Sequence, residues 1–341
     1  MQNHITGQYF SQRDFSLRAA DILDRVCHDT GFKAEQEIFR GYIYDRDKVG
    51  SLIYRGAWRG KSVVLKLQGL KPELDEGTIL KSFAAQNRSQ LVRLPALYVH
   101  VPWSDELGYM YLISEYVAAP RIFVPPTATA EQMTEFCRFY QEYRTNCVCE
   151  PWIQVPKNSA LELTLARMRH WLKICTHKNR IDREILTPRC SRFATLAERC
   201  LRDENLVFGH GHLMADNILK QPDGRYVLLS NLDWGWRLPW YDLAFNLWSC
   251  NLRLRDTDLD FPGFLKLQDA WRDVYRSIPA IQADPDFDRR FDFVMLERTL
   301  GAILADLGAS DFFGRPENAD HLRHLLDLHL HYFDYLADAL E

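Results

Sequence analysis

Apolar side chains in residues 14–28, DFSLRAADILDRVCH, recur at Leu17, Ala20, Leu23 and Cys27, a spacing of three to four that puts them on one helical face. Gly31 ends that helix. From Ile38 to Gln68 the period changes to short β-branched or aromatic runs, EIFRGYIYD, SLIYRGAW and KSVVLKLQ, the last two joined through Arg59 and Gly60. This pattern predicts three antiparallel strands. Helical spacing returns in KPELDEGTILKSFAAQ through Ile79, Leu80, Phe83 and Ala84, with Glu73, Asp75 and Glu76 in the first turn, where negative charge suits the helix dipole. ALYVHV and GYMYLISEYV then add two strands. Five strands with one helix inserted after the third predict an α+β lobe over residues 1–117, the helix at 14–28 being its N-terminal extension.

The stretch AAPRIFVPPTATA fits a connector, with Thr127 or Thr129 placed to cap the next helix. Beyond it, residues 118–341 carry helical apolar patterns, from AEQMTEFCRFYQEYR and ALELTLARMRHWLKIC through SRFATLAERCLRD to YDLAFNLWSCNLRL and ENADHLRHLLDLHLHYFDYLADAL. The exception is residues 206–233, where LVFGHGH, NILKQ and YVLLSNLDW read as short strands around a PDG turn at 222–224. The pattern therefore predicts a mostly helical second lobe with a hairpin set into it.

Composition changes this picture little. At 341 residues, 47% hydrophobic and 26% charged, the chain has the make-up of two ordinary globular lobes. A formal charge of -4 gives no global reason to bind nucleic acid or an anionic membrane, and neither is expected as a partner. The opening MQNHITGQYFSQRDF lacks the apolar core of a signal peptide, and no long apolar run follows, so a cytoplasmic location is expected. Eight cysteines without a CxxC pair are expected as reduced thiols, and the one-residue gap between Cys147 and Cys149 suits neither a disulfide nor a shared metal. Oligomeric state is not legible.

The chemistry lies in FGHGHLMADNILKQPDGRYVLLSNLDWGWRLPWYDLAF. This segment resembles the aminoglycoside phosphotransferase and choline kinase branch of the protein-kinase-like fold, whose signature runs HGDxxxxN, then a hairpin, then DW, then YDLA. The resemblance implies a two-lobed α+β fold that binds ATP or another nucleoside triphosphate with Mg²⁺ in a cleft between lobes and phosphorylates a small-molecule hydroxyl. His210 and Gly211 match the HG, and Asn217 and Asp233 match the metal-binding asparagine and aspartate. An amide and a carboxylate are the hard oxygen donors that Mg²⁺ on a triphosphate requires. Lys66 in SVVLKLQ matches the third-strand lysine of the phosphates, with Glu76 as its helix partner and Glu73 as a rival. Glu115, Tyr116 and Val117 match the hinge that faces adenine, and Asp242 matches an aspartate that supports the catalytic loop. In YDRDKVGSLIYRG, Gly50 stands for the phosphate loop without a GxGxxG pattern.

One letter departs from the signature: His212 stands where the family places the aspartate that orients and deprotonates the acceptor. A neutral imidazole, with an ordinary pKa of about 6.5, is a competent base, although it is bulkier and lacks a carboxylate's two oxygens. Asp216 is a second candidate carboxylate in the loop. Two readings therefore stand open, a phosphotransferase with His212 as base and a pseudokinase whose cleft senses nucleotide or binds a partner. A metal site on His210 and His212 would need further ligands, and none is evident. His321, His324, His329 and His331 are expected on a partly solvated helix surface, and Trp234, Trp236, Trp240 and Trp248 in a core. The helical insertion between residues 127 and 200 is expected to shape the acceptor pocket, whose charge preference its mixed Arg, Lys and Glu leave undecided.

Overall fold

Residues 15–43, 45–69, 71–72, 74–126, 128–148, 150–254, 259–309 and 319–341 are described by a computed structural model, the side chains of 15–17, 42–49 and 319 lying outside that description. The chain packs as two compact units. One runs from the amino terminus to Pro120 and takes in Leu219–Leu232; the other comprises Arg121–Ile218 and Asp233–Glu341.

The first unit opens with helix α1 (Phe15–Thr30), followed by strands β1 (Lys33–Ile43), β2 (Asp45–Trp58) and β3 (Lys61–Gln68). After helix α2 (Glu76–Gln86) come β4 (Val92–Arg93), β5 (Leu97–Val101) and β6 (Met110–Glu115). Five strands form one antiparallel sheet in the order β1-β2-β3-β6-β5. The β2–β3 turn needs two left-handed residues, and Arg59 (φ 49°) and Gly60 (φ 76°) supply them. Val63, Leu65 and Leu67 of β3 are wholly buried and pack with Ala19, Ile22 and Val26 of α1. The expected helix face was Leu17, Ala20, Leu23 and Cys27, but Ala20 is exposed and Leu23 and Cys27 lie on the flank. Ile22 and Val26 offer more apolar area than Ala20 and Cys27, so the helix turns that side to the sheet.

Gly50 falls in β2, between Ser51, which pairs with Gly41, and Val49, which pairs with Tyr42. It is the extra residue of a bulge, a position that suits glycine, and its carbonyl accepts from the Gly69 N–H at 3.1 Å. The hairpin tip precedes it at residues 43–45, partly outside the described residues. A smaller sheet joins β4 in parallel to β9 (Tyr226–Leu228), which continues to β8 (Ile218–Lys220) through a turn closed by Gly224 (φ 83°).

The second unit is helical, as the apolar patterns predict: α3 (Ala130–Asn146), α4 (Ala160–Lys178), α5 (Arg183–Cys200), α6 (Tyr241–Asn251), α7 (Phe261–Tyr275), α8 (Phe287–Gly301) and α9 (Ala319–Leu340). Thr129 caps α3 through a capping box with Gln132; Thr127 lies outside the described residues. The pattern placed the start of α5 at Ser191, whereas it begins at Arg183 and runs through Pro188, with Leu186 and Cys190 buried on its packed face. Every residue of α6 is buried. A short two-stranded ladder joins β7 (Val207–Gly209) to β10 (Gly235–Arg237), and α8 runs on into a π-helical turn at Ala302–Leu307.

His329 corrects another expectation. It is 1% exposed in α9, where its Nδ1 meets the Leu325 carbonyl at 2.7 Å, because the α9 face that carries Leu325, Tyr332 and Leu336 is the buried one. Trp234 and Trp248 are core, while Trp236 and Trp240 are half-buried. The described cysteines are all free thiols, Cys149 lying outside the described residues. No helix among the described residues is long and apolar enough to cross a membrane.

Candidate functional site

In the first unit, strand alternation decides the place of Lys66. Val63, Leu65 and Leu67 take the core face of β3, so Lys66 points to the other face between Ile53 of β2 and Leu112 of β6. It lies on a central strand, and its side chain is only 12% exposed. A charge so enclosed needs a partner. Asp75 caps α2 by accepting from the Thr78 N–H at 2.9 Å, which makes Glu76 the first helical residue and turns its carboxylate onto the Lys66 ammonium. The other Glu76 oxygen accepts from the Asn231 N–H at 3.3 Å. Glu73 lies outside the described residues.

At the expected hinge, Glu115 gives its carboxylate to Arg93, with Nη2 at 2.8 Å from Oε1, and to the Ala96 N–H at 3.1 Å. Those bonds hold its pKa below the usual carboxylate value against burial, which pushes the other way. The backbone N–H groups of Glu115 and Tyr116 donate to Ala96 and Ser62, so the hinge spends both inside the first unit.

In the second unit, β7 delivers the chain into a loop held from behind. Asp242, in the first turn of α6 and 5% exposed, accepts from the Gly211 N–H at 2.8 Å, the His210 N–H at 3.2 Å and the Tyr143 hydroxyl at 2.9 Å. The Tyr143 oxygen itself accepts from the His210 N–H at 2.7 Å, and Arg144 donates to the Phe208 carbonyl at 2.6 Å. Burial, with Asp242 beside it, pushes the Tyr143 hydroxyl well above its ordinary range, so it stays a donor. Gly211 sits at φ 71°, and a Cβ there would lie 2.4 Å from the Asp233 carbonyl oxygen; only glycine satisfies both conditions. His210 is wholly buried, its Nδ1 accepts from the His212 N–H at 3.3 Å, and its ring stands edge-on to Trp234. It is a structural residue of the loop.

His212 is different. Its side chain is 34% exposed, its ring centroid lies 4.8 Å from that of Phe245, and Nδ1 is 3.8 Å from a carboxylate oxygen of Asp233. Burial lowers its pKa and Arg298 and Arg237 add to this, while Asp233 and Asp242 oppose them; the net direction is down, toward the neutral imidazole. Asn217 ends a 3-10 turn whose Ala215 N–H is held by Asn246 at 3.0 Å. Its side-chain N–H donates to the His212 carbonyl at 3.1 Å, which leaves the amide oxygen as the group to offer a ligand.

Asp216 corrects an expectation: one oxygen of its carboxylate is held by the Arg253 guanidinium, and the side chain is 9% exposed. With its carboxylate engaged by Arg253, Asp216 takes no part in the proposal below. Among the described residues no group of three or more His, Cys, Asp or Glu is placed to hold a metal. The Asp233 carboxylate, 48% exposed, and the Asn217 amide oxygen are nevertheless the right donor types for a cation completed by phosphate oxygens and water. Cavities of about 190 Å³ beside Arg144 and Trp240 and about 560 Å³ beside Phe83 and Tyr98 include none of Lys66, His212, Asn217 or Asp233.

The supports Tyr143, Arg144, Asn231 and Arg253 act across gaps that no local motif marks.

These elements define the α+β fold of protein-kinase-like small-molecule kinases. No protein-family model and no curated protein sequence matches the chain. Solved structures do. Aminoglycoside phosphotransferase APH(4)-Ia aligns over 94% of this chain and 99% of its own with a TM-score of 0.60 at 11% identity. Choline kinase from Cryptosporidium parvum Iowa II aligns over 94% and 97%, with a TM-score of 0.61 at 13% identity. Amicoumacin kinase hAmiN, in complex with AMP-PNP, Ca²⁺ and Ami, aligns over 94% and 96%, with a TM-score of 0.62 at 10% identity.

Proposed function

We propose that the chain is a phosphotransferase that moves the terminal phosphoryl group of ATP, or another nucleoside triphosphate, to the hydroxyl of a small molecule. The observation that carries the reading is the convergence of His212 and Asn217, from the loop after β7, with Asp233, from the segment before β10: the Asn217 amide lies on the His212 carbonyl at 3.1 Å and the Asp233 carboxylate 3.8 Å from the ring. Such chemistry asks little covalent work of protein and much positioning. Lys66, held by Glu76, is the cation for the triphosphate, and the Val117 N–H and hinge carbonyls are the groups for adenine. Asn217 and Asp233 are the ligands for Mg²⁺, which when bound neutralises phosphate charge. His212, neutral and partly exposed, accepts the proton of the acceptor hydroxyl. The fold of nucleotide-bound kinases supports this reading; a thermostable mutant of APH(4)-Ia forms a ternary complex with ADP and hygromycin B.

A second reading has the histidine itself in its favour: a chain that binds nucleotide and transfers nothing. Steady-state nucleotide consumption with an acceptor library separates them. The expected outcome is turnover by the parent, a loss of roughly 10²- to 10⁴-fold in His212→Ala and partial or full retention in His212→Asp. A parent that binds nucleotide without turnover, while His212→Asp gains it, identifies the second reading as correct.

A further inference from the structure

Tyr241, Phe245 and Trp248 recur at four and three positions along α6, a spacing that stacks them on one helical face. Across from them, α8 presents Arg298, and one turn later Gly301 admits the Trp171 indole so closely that a Cβ there would come within 3.1 Å of it. The outcome is four rings around one guanidinium: its central carbon lies 4.1 Å from the Trp248 centroid, 5.1 Å from Phe245, 5.5 Å from Trp171 and 5.9 Å from Tyr241. An aromatic box of this kind is what recognises a quaternary or primary ammonium ligand, because ring faces are negative. Here the chain's own cation fills it.

The box touches the proposed chemistry. Phe245 contacts the His212 ring at 4.8 Å and the Arg298 guanidinium at 5.1 Å, and the charge of Arg298 reaches His212. Arg298 is 7% exposed, its Nη1 donates to the Tyr241 hydroxyl at 3.2 Å, and its Nε has no partner among the described residues. Neighbouring Glu297 pairs with Arg167 at 2.8 Å, and the carboxylate that feels the Arg298 charge is Asp306. A buried cation with an unspent donor costs stability unless something else is gained.

We infer that Arg298 is a specificity residue of the acceptor site, which excludes cationic acceptors by occupying the aromatic box and favours hydroxyl compounds that are uncharged or anionic. The inference rests on the phosphotransferase reading for its location, but the box itself is testable without turnover. Phosphoryl transfer to such an acceptor breaks the bond between the terminal phosphorus and its bridging oxygen, forms one to the acceptor oxygen, and passes the hydroxyl proton to His212.

Two arms keep the failures distinct. In the first, tryptophan fluorescence is titrated with tetramethylammonium on the parent and on Arg298→Ala. The parent is expected to show no saturable change, and the variant to gain binding at least about tenfold tighter as the emptied box accepts the ion. Saturable binding of tetramethylammonium by the parent overturns the inference, and remains decisive if the variant does not fold. In the second, the parent is offered choline, ethanolamine and polyamine aminoglycosides beside neutral sugars, hydroxy acids and sugar phosphates. Preference for the cationic group overturns the inference; preference for the others supports it. No turnover on any acceptor sinks the phosphotransferase reading alone and leaves the first arm to decide the box.

Discussion

At the scale of single residues, the site sets Lys66 against Glu76 and gathers three donors onto Asp242. Lys66 and Glu76 show the consequence. Lys66→Met strands the Glu76 carboxylate among enclosed groups and is expected to cost about 3 kcal/mol or more, read as a lower urea midpoint. Adding Glu76→Gln should restore most of that stability, since the amide still accepts from Asn231, and none of the Mg·ATP binding. A double variant that regains nucleotide affinity would mean the ammonium is purely structural. Asp242 carries three hydrogen bonds, and Asp242→Ala leaves the buried Gly211 N–H without its acceptor and the Tyr143 hydroxyl without its carboxylate, at about 3 kcal/mol or more with loss of turnover. Unfolding curves of Asp242→Ala that overlay the parent would contradict this support.

At the scale of elements, a buried histidine on α9 and a half-buried aspartate in the turn after α8 pull stability in opposite directions with pH. Burial lowers His329 on α9 from 6.5 to about 4, so unfolding takes up a proton in that window and stability falls as pH drops. Burial raises Asp306, in the π-helical turn, from 3.8 to about 6, so unfolding releases a proton and stability falls as pH rises. Each contributes up to roughly 3 kcal/mol across its window. Relative to the parent, His329→Leu should gain most near the acid end, and Asp306→Asn should gain most above its folded value; thermal midpoints from pH 4 to 7 read both, and parallel curves would refute them. What the sequence disclosed follows the range of the interaction. Period-two and period-3.6 patterns announced β3, α3 and the hairpin around Gly224, because each is decided by neighbours within a few residues. The turn of α1 toward Ile22, the extension of α5 through Pro188 and the burial of His329 are decided by the surface each element packs against, which no local pattern records. Asn217 and Asp233 were legible through motif spacing, whereas Arg253 on Asp216 and the box around Arg298 join residues far apart in the chain.

At the scale of the whole molecule, the proposed function needs Lys66 on the triphosphate and Asn217 with Asp233 on its cation. The helical insertion at 127–200, expected to shape the acceptor pocket, contributes Tyr143 to the support of the loop and Trp171 to the box around Arg298. The most direct measurement is a thermal-shift titration with Mg·ATP on the parent, Lys66→Met and Asp233→Ala. A ligand at 100 times its Kd stabilises the folded state by about 2.7 kcal/mol. The expected result is a concentration-dependent rise in the parent's Tm that shrinks sharply in both variants, in Asp233→Ala chiefly by losing its dependence on Mg²⁺. A parent Tm that Mg·ATP does not move, or variants that shift as far as the parent does, would contradict the proposed function.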